Sequence, residues 1–246
     1  MKSIQLKCAV VCFVLLLCSM SAWSDIHSKI EDKIGWGSCV ACAGGASNHA
    51  SIATNAFHAS PSLDGASRDF YINGAAYSNA LWWYKLGPHN STKNFKFDFW
   101  LHAASNTSAA HSFEFDAFQF VGGRQYMFGT QCNYAAKVWD IWNAQANAWR
   151  HTQVPCTRFT PKTWYHVTFT FHRTTDDQYM HYDDLTIERA GSDGKIVARN
   201  TYHFNKAMPS GKTSWRDNLG VQFQLDIGPN GAQMQEWVDK VNLTSW

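Results

Sequence analysis

Apolar and polar residues alternate with a period of two in run after run of this chain. Leu219, Val221, Phe223, Leu225 and Ile227 alternate with Gly220, Gln222, Gln224 and Asp226. Phe95, Phe97, Phe99 and Leu101 alternate with Lys96, Asp98, Trp100 and His102, and Val167, Phe169 and Phe171 with Thr168, Thr170 and His172. A pleated strand sends successive side chains to opposite faces, so each run predicts a strand with one face in a core and the other toward water. Turn residues punctuate the runs. Asn73-Gly74 follows Phe70-Tyr71-Ile72, and Gly122-Gly123 separates Phe113–Phe120 from Gln125–Gly129. Ser192-Asp193-Gly194-Lys195 joins Leu185-Thr186-Ile187 to Ile196-Val197-Ala198, a hairpin signal. Helical spacing surfaces only at Asn143–Trp149, where a short helical turn or a loop is expected. No repeat, proline-rich linker or charge block divides the chain. The expected fold class is all-β, a two-sheet antiparallel β-sandwich.

The first residues read differently. Lys2 and Lys7, the apolar run Ala9–Cys18 and then Ser21-Ala22-Trp23-Ser24 have the order of a signal peptide, cut after Ser24. The run is shorter than the ~20 residues of a membrane-spanning helix, and Leu16-Leu17 before Cys18 argue against a lipid anchor. The expectation is a chain exported to the periplasm or beyond. The remaining 222 of the 246 residues suffice for one domain with its own core. Within it, the small, polar stretch 25–61 is expected to be irregular, and 62–246 to form the sandwich. Lys2 and Lys7 leave with the leader, so 21 basic residues fall to 19 against 19 acidic ones. Zero net charge without a basic cluster argues against nucleic acid or an anionic membrane as partner.

Four cysteines follow the leader: Cys39, Cys42, Cys132 and Cys156. An even number in an exported chain predicts disulfides. Sequence leaves three pairings open, of which Cys39–Cys42 with Cys132–Cys156 is favoured. Cys39-Val-Ala-Cys42 lacks the βαβ surroundings of a redox motif, and Cys132 and Cys156 lack the spacing of a zinc site.

Several segments carry a resemblance. Lys162-Thr163-Trp164-Tyr165-His166-Val167-Thr168-Phe169 resembles the Trp-x-His-Val strand of laminin-G-like and pentraxin-like jelly rolls. Glu114-Phe115-Asp116-Ala117-Phe118 is similar to the Glu-Phe-Asp-Thr-Phe strand of legume lectins and, more loosely, to the Glu-x-Asp-x-x-Glu strand of family 16 β-glucanases. Trp237-Val238-Asp239-Lys240-Val241-Asn242-Leu243 resembles the Asp-x-Val final strand of laminin-G-like modules. Ser62-Leu63-Asp64-Gly65, Tyr77-Ser78-Asn79-Ala80-Leu81-Trp82-Trp83 and Phe128-Gly129-Thr130-Gln131-Cys132 look like a group of secreted bacterial proteins of the same fold. All belong to the concanavalin A-like lectin/glucanase superfamily, which implies a jelly-roll sandwich. The resemblance does not hand over an activity.

The chemistry of these families sets tests. A retaining glucanase needs two carboxyl groups about 5–5.5 Å apart. Glu114 and Asp116 share a strand face, but Phe118 and Gln119 stand where the further acid belongs, leaving Glu236 or another distant acid to supply it. The legume-type calcium–manganese pair lacks its remaining ligands: Phe120 holds the Asn position, and no Asp or His lies between Asp116 and Gly129. Calcium takes six to eight oxygen ligands. Asp176-Asp177 and Asp183-Asp184 are the remaining acid pairs for a structural calcium, with solvated loop charge as the plainer reading. No other cofactor is implied. No Gly-x-Ser-x-Gly, His-Glu-x-x-His or phosphate loop occurs. His172 with Tyr179 are lyase-type residues that no spacing selects.

Sugar binding without chemistry needs an exposed aromatic ring to stack on a pyranose, with amides and carboxylates for its hydroxyls. Most tryptophans belong in a core, and Trp82-Trp83 must split between faces. Trp100 and Trp142 are the expected platforms, with Asp98, Glu114, Asp116 and Gln224 as polar contacts. The favoured function is therefore non-catalytic, lectin-like binding of a poly- or oligosaccharide. The alternatives are a glycoside hydrolase or polysaccharide lyase using Glu114, with Asp116, and a structural or adhesive extracellular protein.

Overall fold

The alternating runs become strands, and their apolar halves meet. The computed structural model describes residues 24–40, Cys42 and residues 51–246; the expected leader, residues 1–24, lies outside the described residues except for Ser24. Sixteen strands follow in order: β1 (Asp25–His27), β2 (Gly37–Val40), β3 (Ser51–His58), β4 (Ser67–Gly74), β5 (Asn79–Gly87), β6 (Asn94–Ala103), β7 (Ala110–Val121) and β8 (Arg124–Asn133), then β9 (Val138–Asn143), β10 (Ala148–Pro155), β11 (Trp164–Arg173), β12 (Tyr179–Ala190), β13 (Ile196–Pro209), β14 (Gly211–Lys212), β15 (Asn218–Ile227) and β16 (Ala232–Ser245). Helix among the described residues is limited to two 3-10 turns, Ile30–Asp32 and Thr107–Ala109.

Two antiparallel sheets result. The first runs β13-β12-β11-β6-β16-β4-β3, with β1 added on β16; the second runs β10-β9-β8-β7-β15-β5-β2, with β14 added on β8. This is a two-sheet antiparallel jelly-roll sandwich. Between the sheets lies an aromatic core. Phe223 of the second sheet meets Phe70, Phe97 and Phe99 of the first at ring separations of 5.4, 5.7 and 5.1 Å. Phe128 meets Phe171 at 4.3 Å, and Trp82 stacks on Phe70 at 5.0 Å. Trp82 is thus the buried member of its pair; the Trp83 ring lies outside, over Gly37, where a Cβ would come within 2.4 Å of it.

One expectation is corrected: among the described residues of 25–61, three stretches are strands of the sandwich rather than an irregular preface to it. β1 pairs with the C-terminal strand (Asp25↔Ser245), β2 extends the second sheet on β5, and β3 extends the first on β4. These are edge or add-on strands, whose partners are backbone groups, so small and polar residues serve and no apolar alternation is required. Ile30 and Trp36 anchor the segment in the core. Buried Glu31 accepts the Lys240 and Val241 N–H groups at 2.7 and 2.8 Å. Of the two alternatives for residues 143–149, a helical turn or a loop, the structure has the loop. These residues close the β9–β10 hairpin, with Trp149 opposite Trp142 and Asn147 in the left-handed region at φ 49°.

The hairpins expected at Gly122-Gly123 and 192–195 are present as β7–β8 and β12–β13. Both favoured disulfides are formed, with Cα separations of 5.9 Å for Cys39–Cys42 and 5.6 Å for Cys132–Cys156.

Phe223 is fully buried at the centre of the rings that join the sheets. Phe223→Ala is expected to cost about 3–5 kcal/mol, read as a lowered denaturant midpoint with little change in slope.

Candidate functional site

The outward half of the second sheet carries the chemistry. On β7, Phe113, Phe115 and Ala117 face the core, which leaves Glu114, Asp116, Phe118 and Phe120 on the outer face. On β15, Val221, Phe223 and Leu225 face inward and Gln222, Gln224 and Asp226 outward. Pairing lines these up in rows across the sheet. One row runs Leu81, Gln224, Glu114, Gln131, Asp140, and the next runs Trp83, Gln222, Asp116, Gly129. A hollow of about 560 Å³ opens over them, with Trp142 and Trp149 on one wall.

The floor is a network of buried acids and amides. Asp116 is 1% exposed; its Oδ1 accepts the Thr130 N–H at 3.1 Å and its Oδ2 accepts Gln222 Nε2 at 2.8 Å. Asp226 accepts the Ser112 hydroxyl at 2.6 Å and Gln224 Nε2 at 2.9 Å. Asp140 is fully buried, holding Gln131 and Asn133 at 2.9 Å each and His151 Nδ1 at 2.5 Å. Glu114 differs. Its Oε2 is buried and finds no hydrogen-bond partner in the protein, and neither does Gln224 Oε1. Burial pushes the Glu114 carboxyl well above the usual carboxylate range, and the charges of Asp116 and Asp226 push it the same way. Burial raises the Asp116 carboxyl as well, to about 7. The Thr130 N–H and the Gln222 amide hold Asp116 down, whereas Glu114 Oε2 has no such donor.

The aromatic wall depends on one glycine. A Cβ at Gly129 would lie 3.0 Å from Trp142 Cβ, 3.2 Å from Trp149 Cη2 and 3.3 Å from Asp116 Oδ1. Its absence lets the two indoles, 5.0 Å apart and at 69° to one another, close down beside the acid. Beyond Asp116 the face turns apolar. Phe118 stacks on Phe120 at 5.1 Å, and Phe120 meets Trp215, whose indole is 64% exposed.

Four of the six residues expected from sequence therefore meet here: Glu114, Asp116, Gln224 and Trp142. The other two do not. Asp98 and Trp100 lie on β6, on the outer face of the opposite sheet. The Trp100 ring stacks on His166 at 4.9 Å, and Asp98 accepts from His166 Nε2 and the Thr168 hydroxyl at 2.9 Å each. His166 Nδ1 in turn contacts Glu188 at 2.7 Å. Both residues point outward as alternation demands, but a sandwich has two outsides. Sequence reading also missed Asp226, Gln131, Trp149 and Trp215. Asp226 continues the Gln222, Gln224 parity, and Trp149 is seven residues beyond Trp142, the distance a hairpin brings back; Trp215 carried no signal.

Other expectations resolve by position. Glu236 points inward from the first sheet at 1% exposure, away from the hollow. His172 and Tyr179 lie on the first sheet. The acids weighed for calcium contact protein donors: Asp176 takes the Thr174 hydroxyl, Asp177 Lys93, Asp183 His172 and His181, and Asp184 His203.

No protein-family model matches the chain, and no curated protein matches it by sequence. Among solved structures, it is similar to the marine alginate lyase of family PL-14 from Aplysia kurodai, at 7% identity over 77% of this chain and 86% of that one, with a TM-score of 0.50. Peanut lectin gives 10% identity over 92% and 98% with a TM-score of 0.48, and the lectin-like defence protein arcelin-5 of Phaseolus vulgaris 9% over 85% and 97% with 0.42. At these identities the likeness concerns the fold.

A carboxyl that binds its proton more tightly folded than unfolded loses stability as pH rises from its unfolded value, near 4.5 for Glu114, toward its folded one. Glu114→Gln is expected to flatten that decline and to match or exceed the wild-type melting temperature above pH 7. Infrared difference spectra at neutral pH should show a protonated carboxylic acid C=O band lost in the variant.

Proposed function

We propose that the outer face of the second sheet binds a poly- or oligosaccharide and does so without chemistry. One observation carries this reading: two indoles pack beside a buried floor of amides and carboxyls in which Glu114 Oε2 and Gln224 Oε1 lack partners. Buried polar atoms are satisfied in a finished structure, by water or by a ligand. A pyranose offers both halves of what this site lacks, hydroxyls for the open oxygens and a C–H face for an indole. Trp215 and the Phe118–Phe120 stack extend the face for a longer chain. The two disulfides support an oxidising compartment, periplasm or exterior, and no helix among the described residues is long and apolar enough to cross a membrane.

Catalysis is the second reading, favoured by the raised pKa of Glu114, which suits a general acid. The partner acids speak against double displacement. Asp116 and Asp226 each have both oxygens engaged by protein donors, so neither is a free nucleophile.

The test is affinity electrophoresis of the folded, exported protein through neutral and acidic polysaccharides, alginate included. Retardation in at least one is expected, weakened roughly two- to tenfold by Trp142→Ala, in line with the roughly 0.5–1.5 kcal/mol of a ring contact. Failure to bind any of them, with the fold verified by circular dichroism, would remove the proposal. Reducing ends or unsaturated products that disappear in Glu114→Gln would transfer the face to an enzyme.

A further inference from the structure

Away from the hollow, the first strand brings three metal-ligating side chains together. Asp25 and His27 project from the same side of β1, which is paired with the C-terminal strand β16. His89 faces them from the β5–β6 connection. That connection is held in place: Gln119 Nε2 donates to the His89 and Thr92 carbonyls at 2.6 and 3.1 Å, and the Thr92 hydroxyl to the His89 carbonyl at 3.1 Å. Asp25 Oδ2 lies 3.2 Å from His89 Nδ1 and 3.5 Å from His27 Nε2, and the two imidazoles meet edge to face at 4.7 Å. The three ligand atoms all lie within 4.8 Å of one another.

We propose that Asp25, His27 and His89 form a binding site for a divalent transition cation, zinc foremost, with water completing a four-coordinate shell. Tetrahedral bonds of roughly 2.0–2.1 Å set neighbouring ligand atoms about 3.3 Å apart, and the two Asp25 contacts straddle that value. His27 Nε2 is buried and, 3.5 Å from Asp25 Oδ2, makes no hydrogen bond within the protein. Two imidazole nitrogens and one carboxylate oxygen suit zinc, cobalt or nickel and are a poor set for calcium, which takes oxygen ligands. A second trio, His172, His181 and Asp183, meets the same proximity but is internally satisfied: each imidazole Nδ1 is hydrogen-bonded to Asp183, at 2.9 and 2.7 Å. The metal would tie β1, and through it the C-terminal strand, to the β5–β6 connection.

The exported protein, stripped with a chelator, is titrated with zinc by calorimetry and with cobalt(II) by visible absorption. One equivalent should bind, cobalt should give the intense d–d bands of a tetrahedral site, and zinc should raise the melting temperature. His27→Ala and His89→Ala should each lower zinc affinity by more than the roughly 10- to 100-fold that loss of an outer-shell partner costs, while His172→Ala leaves it unchanged. Paramagnetically shifted ring protons of His27 and His89 in the cobalt-loaded wild type provide the same assignment without a variant. No zinc bound by the folded wild type overturns the proposal. So does affinity unchanged in His27→Ala and His89→Ala, affinity lost only in His172→Ala, or shifted signals that belong to other residues.

Discussion

Phe223, on the second sheet, touches three rings of the first, and the spacing of the two sheets follows from that contact. Its neighbours Phe70, Phe97 and Phe99 come from β4 and β6, and Phe99 continues to Phe115 of the second sheet at 5.1 Å. Rings of this size interdigitate only when every second residue of each strand faces the gap. Once the inward positions of β7 and β15 are committed to Phe113, Phe115, Val221, Phe223 and Leu225, Glu114, Asp116, Gln222 and Gln224 have no other place than the outer face. The aromatic core thus sets the address of the polar residues as well as the stability of the fold.

The outer face then solves a second problem, that of burying acids. Asp116, Asp140 and Asp226 are held by short contacts from side chains one strand away or two residues along the same strand. In a medium of reduced polarity such contacts are strong, and an acid left without them takes up a proton instead. Asp116 retains its N–H donors, whereas Glu114 is pushed well above the usual carboxylate range. The result is a floor with fixed donors and acceptors and two open oxygens, organised before any ligand arrives.

Much of this face was legible in the chain. The i, i+2 spacing of Glu114 and Asp116, and the strict alternation around Gln224, identify strand faces without any structure. Asp226 sat in that same alternation and followed from the same rule. Asp98 and Trp100 obeyed it too, yet they lie on the other outer surface. The spacing from Asn143 to Trp149 was ambiguous because a tight hairpin and a helical turn both return the chain after a few residues. The register Trp142↔Trp149 resolves it. The strands of residues 25–40 and 51–58 left no periodic trace, since edge pairing draws on backbone groups.

By itself, the sequence determined the all-β class, the hairpins at Gly122-Gly123 and 192–195, and which side of each central strand is buried. Those properties are local, set by the pleat and by turn residues. Only the tertiary structure decided which outward faces are one surface. β7 and β15 lie side by side although more than ninety residues separate their sequences, while β6, nearer β7 in the chain, pairs with β11 and β16 on the opposite layer. Sheet membership is a matter of long-range pairing, and the period of two is the same on both layers.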